Sequence, residues 1–241
     1  MASLNSFFAD KEVNTILCQV KLPNLPYGYF EYQYWAGTTL IESKSIDAVI
    51  IVSSFFVSSV PVDLFSSWIR GLAGKPVVSI GAKLDLPNSC TLITECRTVF
   101  RELIKHLVEK HGCKTLNLVA GIEGNVFSEN RIKAFKKSLK KHGLEFEKKR
   151  MFYGQFWEGP TLTGMEEFFN SGLSLPDAFI CCNDVMAMTV CQALLEKGYS
   201  VPEDVIVTGF DNLQRASFYN PTLTSVNQQV EYQGYIAAQP L

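Results

Sequence analysis

Asn183 and Asp211 each stand directly after a continuous apolar run, AFICC and VIVTGF. A carboxylate held there can accept from two hydroxyls, and an amide can both donate and accept. Similar runs precede Ser53 and Ser54 (after AVIIV), Gly81 and Ala82 (after PVVSI), and Gly124 and Asn125 (after NLVAG). Asp184 and Asn212 extend the two leading positions. Polar groups held at rigid strand ends suit recognition of a small polar molecule. Each also has a plain structural use: Asn183 can cap the following helix and Asp211 can tighten a turn. The residue types alone leave both readings open.

Other chemistry finds little support. The seven cysteines (18, 90, 96, 113, 181, 182 and 191) are odd in number and irregular in spacing. Cys18, Cys181, Cys182 and Cys191 lie in apolar runs, where free cysteine behaves as a small hydrophobe. His106, His111 and His142 do not pair with the cysteines at zinc-ligand spacings, so no metal and no cofactor is expected. Gly121–Gly124 is a glycine-bearing turn after a strand, without the rest of a phosphate-binding fingerprint. Neither a nucleophile elbow nor a local Ser or Cys triad is present, so an enzyme is not expected.

The elements that must position these groups alternate. Strands are expected over 47–55, 75–82, 115–121, 177–184 and 204–212, with one more over 90–95. Their apolar runs are continuous rather than alternating, as in parallel strands buried on both faces. Helices are expected over 97–110, 129–142 and 185–197, each followed by a glycine (Gly112, Gly143, Gly198). Asn183 or Asp184 would cap the last of them and Ser128 the second. Repeated strand–helix–strand units imply parallel sheets covered by helices. The expected fold class is α/β, with two doubly wound lobes: residues 1–94 plus 226–241, and residues 95–225. Residues 220–229 hold Pro221 but no apolar period, and would cross back to the first lobe.

The 241 residues carry 22 Lys+Arg against 24 Asp+Glu and 47% apolar residues, with a net charge of −2. That balance, with a pI near 6.0, opposes a dedicated nucleic-acid binder. The basic run Lys133, Lys136, Lys137, Lys140, Lys141, Lys148, Lys149 and Arg150 is expected to be a solvated helix face. No apolar run is long enough for a membrane span, and Met1–Glu12 lacks the pattern of a signal peptide. With a reduced cysteine pattern this points to the cytoplasm. Charged residues make up 19%, somewhat low, which fits a surface partly covered by other chain.

The stretches PDAFICCNDVMAMTVCQALLEKGYSVPEDVIVTGFDN (Pro176–Asn212) and NPTLTSVNQQVEYQGYIAA (Asn220–Ala238) resemble the effector-binding domain of the LacI/GalR family. NLVAG followed by SENRIKAFKKSLKKHGL (Ser128–Leu144) is similar to the same family, and the resemblance spans about residues 46–238. It implies two lobes of periplasmic-binding-protein type I, joined by crossovers and closing on a small-molecule effector. It also implies a homodimer. Carried over by position, it makes Arg131, Asn183 and Asp211 ligand contacts, with Ser54 at a strand end of the first lobe. Phe156 or Trp157 would cover a sugar ring, although Trp157 is equally readable as an ordinary half-buried residue. Gln228, in the last crossover, would face the cleft.

The chain departs from the family pattern in three places. Met1–Glu12 is too short for a helix-turn-helix headpiece, so DNA would be read only through a headpiece absent from this chain. The family's first strand has no counterpart; residues 2–11 look like its first helix and 15–20 like its second strand. The chain stops at Leu241, inside an expected return helix. The aromatic-rich residues 22–34 match nothing in the family and read as a loop covering or a partner surface. The function expected is metabolite sensing by lobe closure, as in LacI-type regulators. The alternative is the same sensor attached to a diguanylate cyclase or histidine kinase.

Overall fold

A computed structural model describes residues 2–18, 40–54, 56 and 62–241. They form two compact units: residues 1–94 with 229–241, and residues 95–228. The aromatic-rich stretch 22–34 lies outside the described residues.

The first unit opens with α1 (Ala2–Phe8). Residues 13–18 are described without regular structure, so the start of the strand expected over 15–20 is irregular. β1 (Val49–Ile51), α2 (Val62–Arg70), β2 (Val77–Ile80) and β3 (Ser89–Leu92) follow. The strands form a parallel sheet in the order β1-β2-β3, with Val49 opposite Val77 and Val77 opposite Ser89. In α2, Phe65, Trp68, Ile69 and Leu72 follow helical spacing. Phe65, Ile69 and Leu72 join Val49, Ile51, Val77 and Leu84 in the core. Phe56 stacks on Phe65 and Trp68 at 5.4 and 5.2 Å.

The second unit holds the larger sheet. Its elements are α3 (Cys96–His111), β4 (Leu116–Ala120), α4 (Val126–Lys141), β5 (Met151–Tyr153) and α5 (Glu158–Asn170). β6 (Ala178–Cys181), α6 (Asp184–Glu196), β7 (Ile206–Asp211), α7 (Gln214–Phe218) and β8 (Thr224–Asn227) complete it. The sheet order is β5-β4-β6-β7-β8 and every pairing is parallel. The chain steps one way from β4 to β5, then back past β4 to β6. Because such crossovers are right-handed, α4 lies on one face and α5 to α7 on the other. α3 packs against α4, and α5 against α6. The connections reverse between β4 and β6, and that switch point is where such sheets hold ligands.

The continuous apolar runs explain the burial. Every residue of β4 and β6 is buried. Phe100, Phe135, Phe179 and Phe210 lie under 2% exposed, and Phe100 stacks on Phe210 at 6.1 Å. Cys113, Cys181, Cys182 and Cys191 are buried, whereas Cys18 is partly exposed. The helix starts depart from expectation at one point. α4 begins at Asn125, whose Oδ1 accepts from the Phe127 and Ser128 backbone N–H groups, not at Ser128. Glu95 caps α3 in the same way, and those two backbone bonds lower its pKa to about 2. Gly112 ends α3 in the left-handed conformation, φ 67°.

Two elements of this unit that have no strong apolar period, β5 and α5, emerge only in the structure. β8 is a further difference: residues 224–227 pair with β7 as the edge strand of this sheet instead of leaving it. The amino edge of the sheet is tied by polar contacts. Asp177 Oδ2 accepts from the Lys114 and Thr115 N–H groups, both at 2.7 Å. Arg150, expected on a solvated basic face, instead has a side chain only 12% exposed. It donates to Asn117 Oδ1 and to Ser174 Oγ, each at 3.2 Å. The lysines of that run are exposed, as a solvated face requires.

The chain ends in the first unit with α8 (Val230–Ala238), which packs on α1 and β2. Phe7 meets Tyr235 edge-on at 5.2 Å. Among the described residues no helix is long and apolar enough to cross a membrane.

Leu118 is fully buried at the centre of the larger sheet. Leu118→Ala should destabilise that unit by about 2–5 kcal/mol in denaturant unfolding. A loss below about 1 kcal/mol would show that the centre of this core repacks freely.

Candidate functional site

The carboxyl edge of the larger sheet gathers the polar groups. β4 delivers Gly121, β5 delivers Phe156, β6 delivers Asn183 and β7 delivers Asp211. Four non-glycine residues there adopt positive φ: Gln155 (54°), Phe156 (63°), Asp211 (119°) and Asn212 (54°). Such conformations cost of order 1–3 kcal/mol each and persist where surrounding contacts enforce them.

The enforcing contacts are visible. Asp184, fully buried at the first position of α6, accepts the Leu213 N–H at 2.6 Å and the Ser225 hydroxyl. The Ser225 oxygen in turn accepts the Asn212 N–H at 2.9 Å. One carboxylate therefore joins the start of α6, the turn after β7 and the edge strand β8. The positive end of the α6 dipole favours a negative group at this position. Gly209 passes so close that an added Cβ would collide with this carboxylate.

Asn183 caps α6: its Oδ1 accepts the Met186 N–H at 2.9 Å. Its Nδ2 donates to the Phe156 carbonyl at 3.1 Å, which fixes the loop after β5. The same amide thus performs the structural role and faces the switch point. The Phe156 ring lies directly over Gly121, where any Cβ would overlap it.

Arg131 projects from the buried face of α4 and is 9% exposed. Its Nη1 donates to the Cys182 carbonyl. Its guanidinium carbon stands 4.0 Å from the Phe210 ring centroid and 5.8 Å from that of Phe156. Arg131 Nε and, one turn earlier, Ser128 Oγ are buried and lack a hydrogen-bond partner among the described residues. A buried cation with an unmet donor is costly unless something else meets it.

Asp211 completes the group. Burial, opposed by Arg131 and by the Gln228 amide and reinforced by Asp184, raises its pKa to about 6. Gln228 Nε2 donates to Asp211 Oδ1. The Cys182 thiol beside them is pushed up to about 12 by burial, so it is inert near neutral pH. The structure therefore brings together Arg131, Phe156, Asn183, Asp211 and Gln228 within the second unit. Trp157 follows Phe156 but is 61% exposed and makes no capping bond. Ser54 belongs to the first unit, where it lies against Gly81 beside the buried Ser53, Ser79 and Ala82 network. Sequence reasoning missed the linking role of Asp184, the close approach at Gly121 and the Phe210 ring beneath Arg131.

A separate open groove of about 440 Å³ runs along α6 and α7, lined by Val185, Met188, Thr189, Arg215, Phe218 and Tyr219. It holds none of the strand-end groups. Among the described residues no cluster of three or more His, Cys, Asp or Glu side chains could hold a metal ion.

A wholly parallel sheet with polar groups gathered at its topological switch point defines an α/β ligand-binding fold. Residues 104–241 match the family described as periplasmic binding protein-like domain. The HTH-type transcriptional repressor PurR of Glaesserella parasuis serovar 5 (strain SH0165) is 28% identical over 202 residues, covering 84% of this chain and 57% of the relative. A structure described as a transcriptional regulator CelR–cellobiose complex superposes with a TM-score of 0.79 at 23% identity, covering 99% of this chain and 69% of that one. The lac repressor dimer bound to operator and the anti-inducer ONPF gives a TM-score of 0.76 at 19% identity, covering 99% and 78%. The chain belongs to the periplasmic binding protein-like domain family. It spans a little over half the length of the PurR relative.

Two predictions follow from this geometry. The folded pKa of Asp211, about 6, lies above the ordinary aspartate value of 3.8, so the folded state holds the proton more tightly. That contribution to stability is present below about pH 4 and is lost as pH rises through about 6. Asp211→Asn should thus gain on wild type by on the order of 2 kcal/mol between pH 4 and pH 8 in unfolding titrations. A pH-independent difference would remove the buried-carboxylate account. Gly121→Ala should displace the Phe156 ring, seen as a loss of its nuclear Overhauser contacts to Arg131, with the fold retained.

Proposed function

We propose that this chain is the sensing domain of a LacI-type transcriptional regulator, binding a small polar metabolite at the carboxyl edge of the second unit and signalling by closure of the two lobes. The observation that carries the reading is Arg131: a buried guanidinium between two aromatic rings, with Nε lacking a hydrogen-bond partner among the described residues and an Asp211 carboxylate nearby. A ligand hydroxyl, or a ring acceptor beside a ring N–H, would accept from Arg131 and donate to Asp211, meeting both desolvated groups at once. Asn183 and Gln228 would add amide contacts, Phe156 or Trp157 would cover a ring, and Ser54 would contribute from the first lobe. The cellobiose named for one structural neighbour supports a sugar, and nucleosides and purines share the required donors and acceptors.

Ligand binding both lobes would favour the closed state by its differential affinity, and closure would move a dimer face. In this reading the protein is a cytoplasmic homodimer. Operator contact falls to the DNA-binding portion for which the HTH-type relatives are named. The repressor names of those relatives favour a regulator over a cyclase or kinase output.

A thermal-shift screen of monosaccharides, disaccharides, nucleosides and purines tests the site. A ligand that raises the wild-type midpoint should leave Asp211→Ala and Gln228→Ala with little or no shift. Equal protection of all three proteins would place the ligand elsewhere.

A further inference from the structure

We propose that His106 and His111, at the carboxyl end of α3, form a chelating site for a single borderline divalent transition metal ion such as Ni2+, Cu2+ or Zn2+. Both side chains are exposed, and their Nε2 atoms stand 3.1 Å apart with the rings inclined at 71°. Two imidazole nitrogens bound to one metal at about 2.1 Å, subtending 90–110°, lie about 2.9–3.4 Å apart. The pair already has that separation.

The positions explain the geometry. His106 and His111 are five residues apart, more than one helical turn. His111 is the last residue of α3, and Gly112 turns the chain into the left-handed conformation directly after it. The end of the helix lets the His111 ring fold back over the preceding turn. Leu107, between them in sequence, is buried and anchors that turn to the core, as Ile104 does one turn earlier. The backbone carrying the two rings is therefore fixed before any ion arrives.

Without metal, the contact needs one Nε2–H donor and one Nε2 acceptor. With metal, both rings carry their proton on Nδ1 and present both Nε2 lone pairs to the ion, so neutral rings lose no proton overall. Water would fill the remaining positions, since no third His, Cys, Asp or Glu completes a cluster among the described residues. Imidazole suits Cu2+, Ni2+ and Zn2+ and disfavours Mg2+ and Ca2+. The site is on the second unit, on a helix that contributes none of the strand-end residues, so it does not depend on the ligand reading.

The test is isothermal titration of the full chain with NiCl2 at neutral pH under reducing conditions with a non-thiol reductant. Uptake should be one ion per chain and should be lost in His106→Gln and in His111→Gln. It should be retained in His142→Gln and in Cys90→Ser, which alter the remaining histidine and an exposed thiol. MgCl2 should give no uptake. Both His substitutions are at exposed positions, and unchanged far-ultraviolet circular dichroism confirms that they fold. Absence of uptake by wild type, or uptake that survives either His106→Gln or His111→Gln, overturns the assignment.

Discussion

The Asp184 carboxylate is the interaction on which the carboxyl edge of the larger sheet depends. It is fully buried, begins α6, and accepts from the backbone of Leu213 and from Ser225. Three consecutive pieces of the sheet edge, at β6, β7 and β8, are thereby locked to one another. A buried anion is tolerated because two hydrogen bonds and a helix amino terminus meet it. Its position in turn dictates the strained backbone at Asp211 and Asn212, through Ser225. Glycine at 209 is the steric condition for the whole arrangement.

The polar groups at the strand ends are built on that frame as an unbalanced electrostatic set. Burial raises the Asp211 pKa, Arg131 opposes the rise, and Asp184 adds a smaller push in the same direction as burial. Arg131 is held by the Cys182 carbonyl, the Cys96 thiol and two aromatic faces, contacts that orient it while its Nε stays unmet among the described residues. Asn183 is divided between capping α6 and fixing the Phe156 carbonyl. Capping α6 is what points the Asn183 amide at the switch point.

The sequence carries the larger sheet clearly where the signal is strong. Within the runs at 115–121 and 177–184, β4 and β6 are fully buried, and in 204–212 β7 is buried over Val207–Phe210, so continuous apolar character marks interior strands. β5 and α5 were not legible, since β5 is a short, half-buried strand and α5 starts at Trp157 without a side-chain cap. β8 is hidden because a four-residue edge strand, exposed at both ends, half-buried in the middle and largely polar, has no apolar period to detect. Ser128 has the residue type of a cap, but Asn125 three residues earlier makes the bonds, and Ser128 is buried in the first turn. Of the binding group, Asn183 and Asp211 were visible as polar residues at the ends of buried runs. Arg131 was visible only by resemblance, although a charge on the Ile132 and Phe135 face of α4 was a signal in itself. Asp184 and Gly121 act through tertiary contacts with residues 29 and 35 positions away, which no local pattern encodes.

The polar ties of the larger sheet are separated by end. Asp177 and Arg150 fasten the amino edge through Lys114, Thr115, Asn117 and Ser174. None of these takes part in the group around Arg131. The architecture is therefore modular along the strand axis. Loops at one rim can differ in length and side-chain chemistry without disturbing a register that is held by contacts a strand's length away.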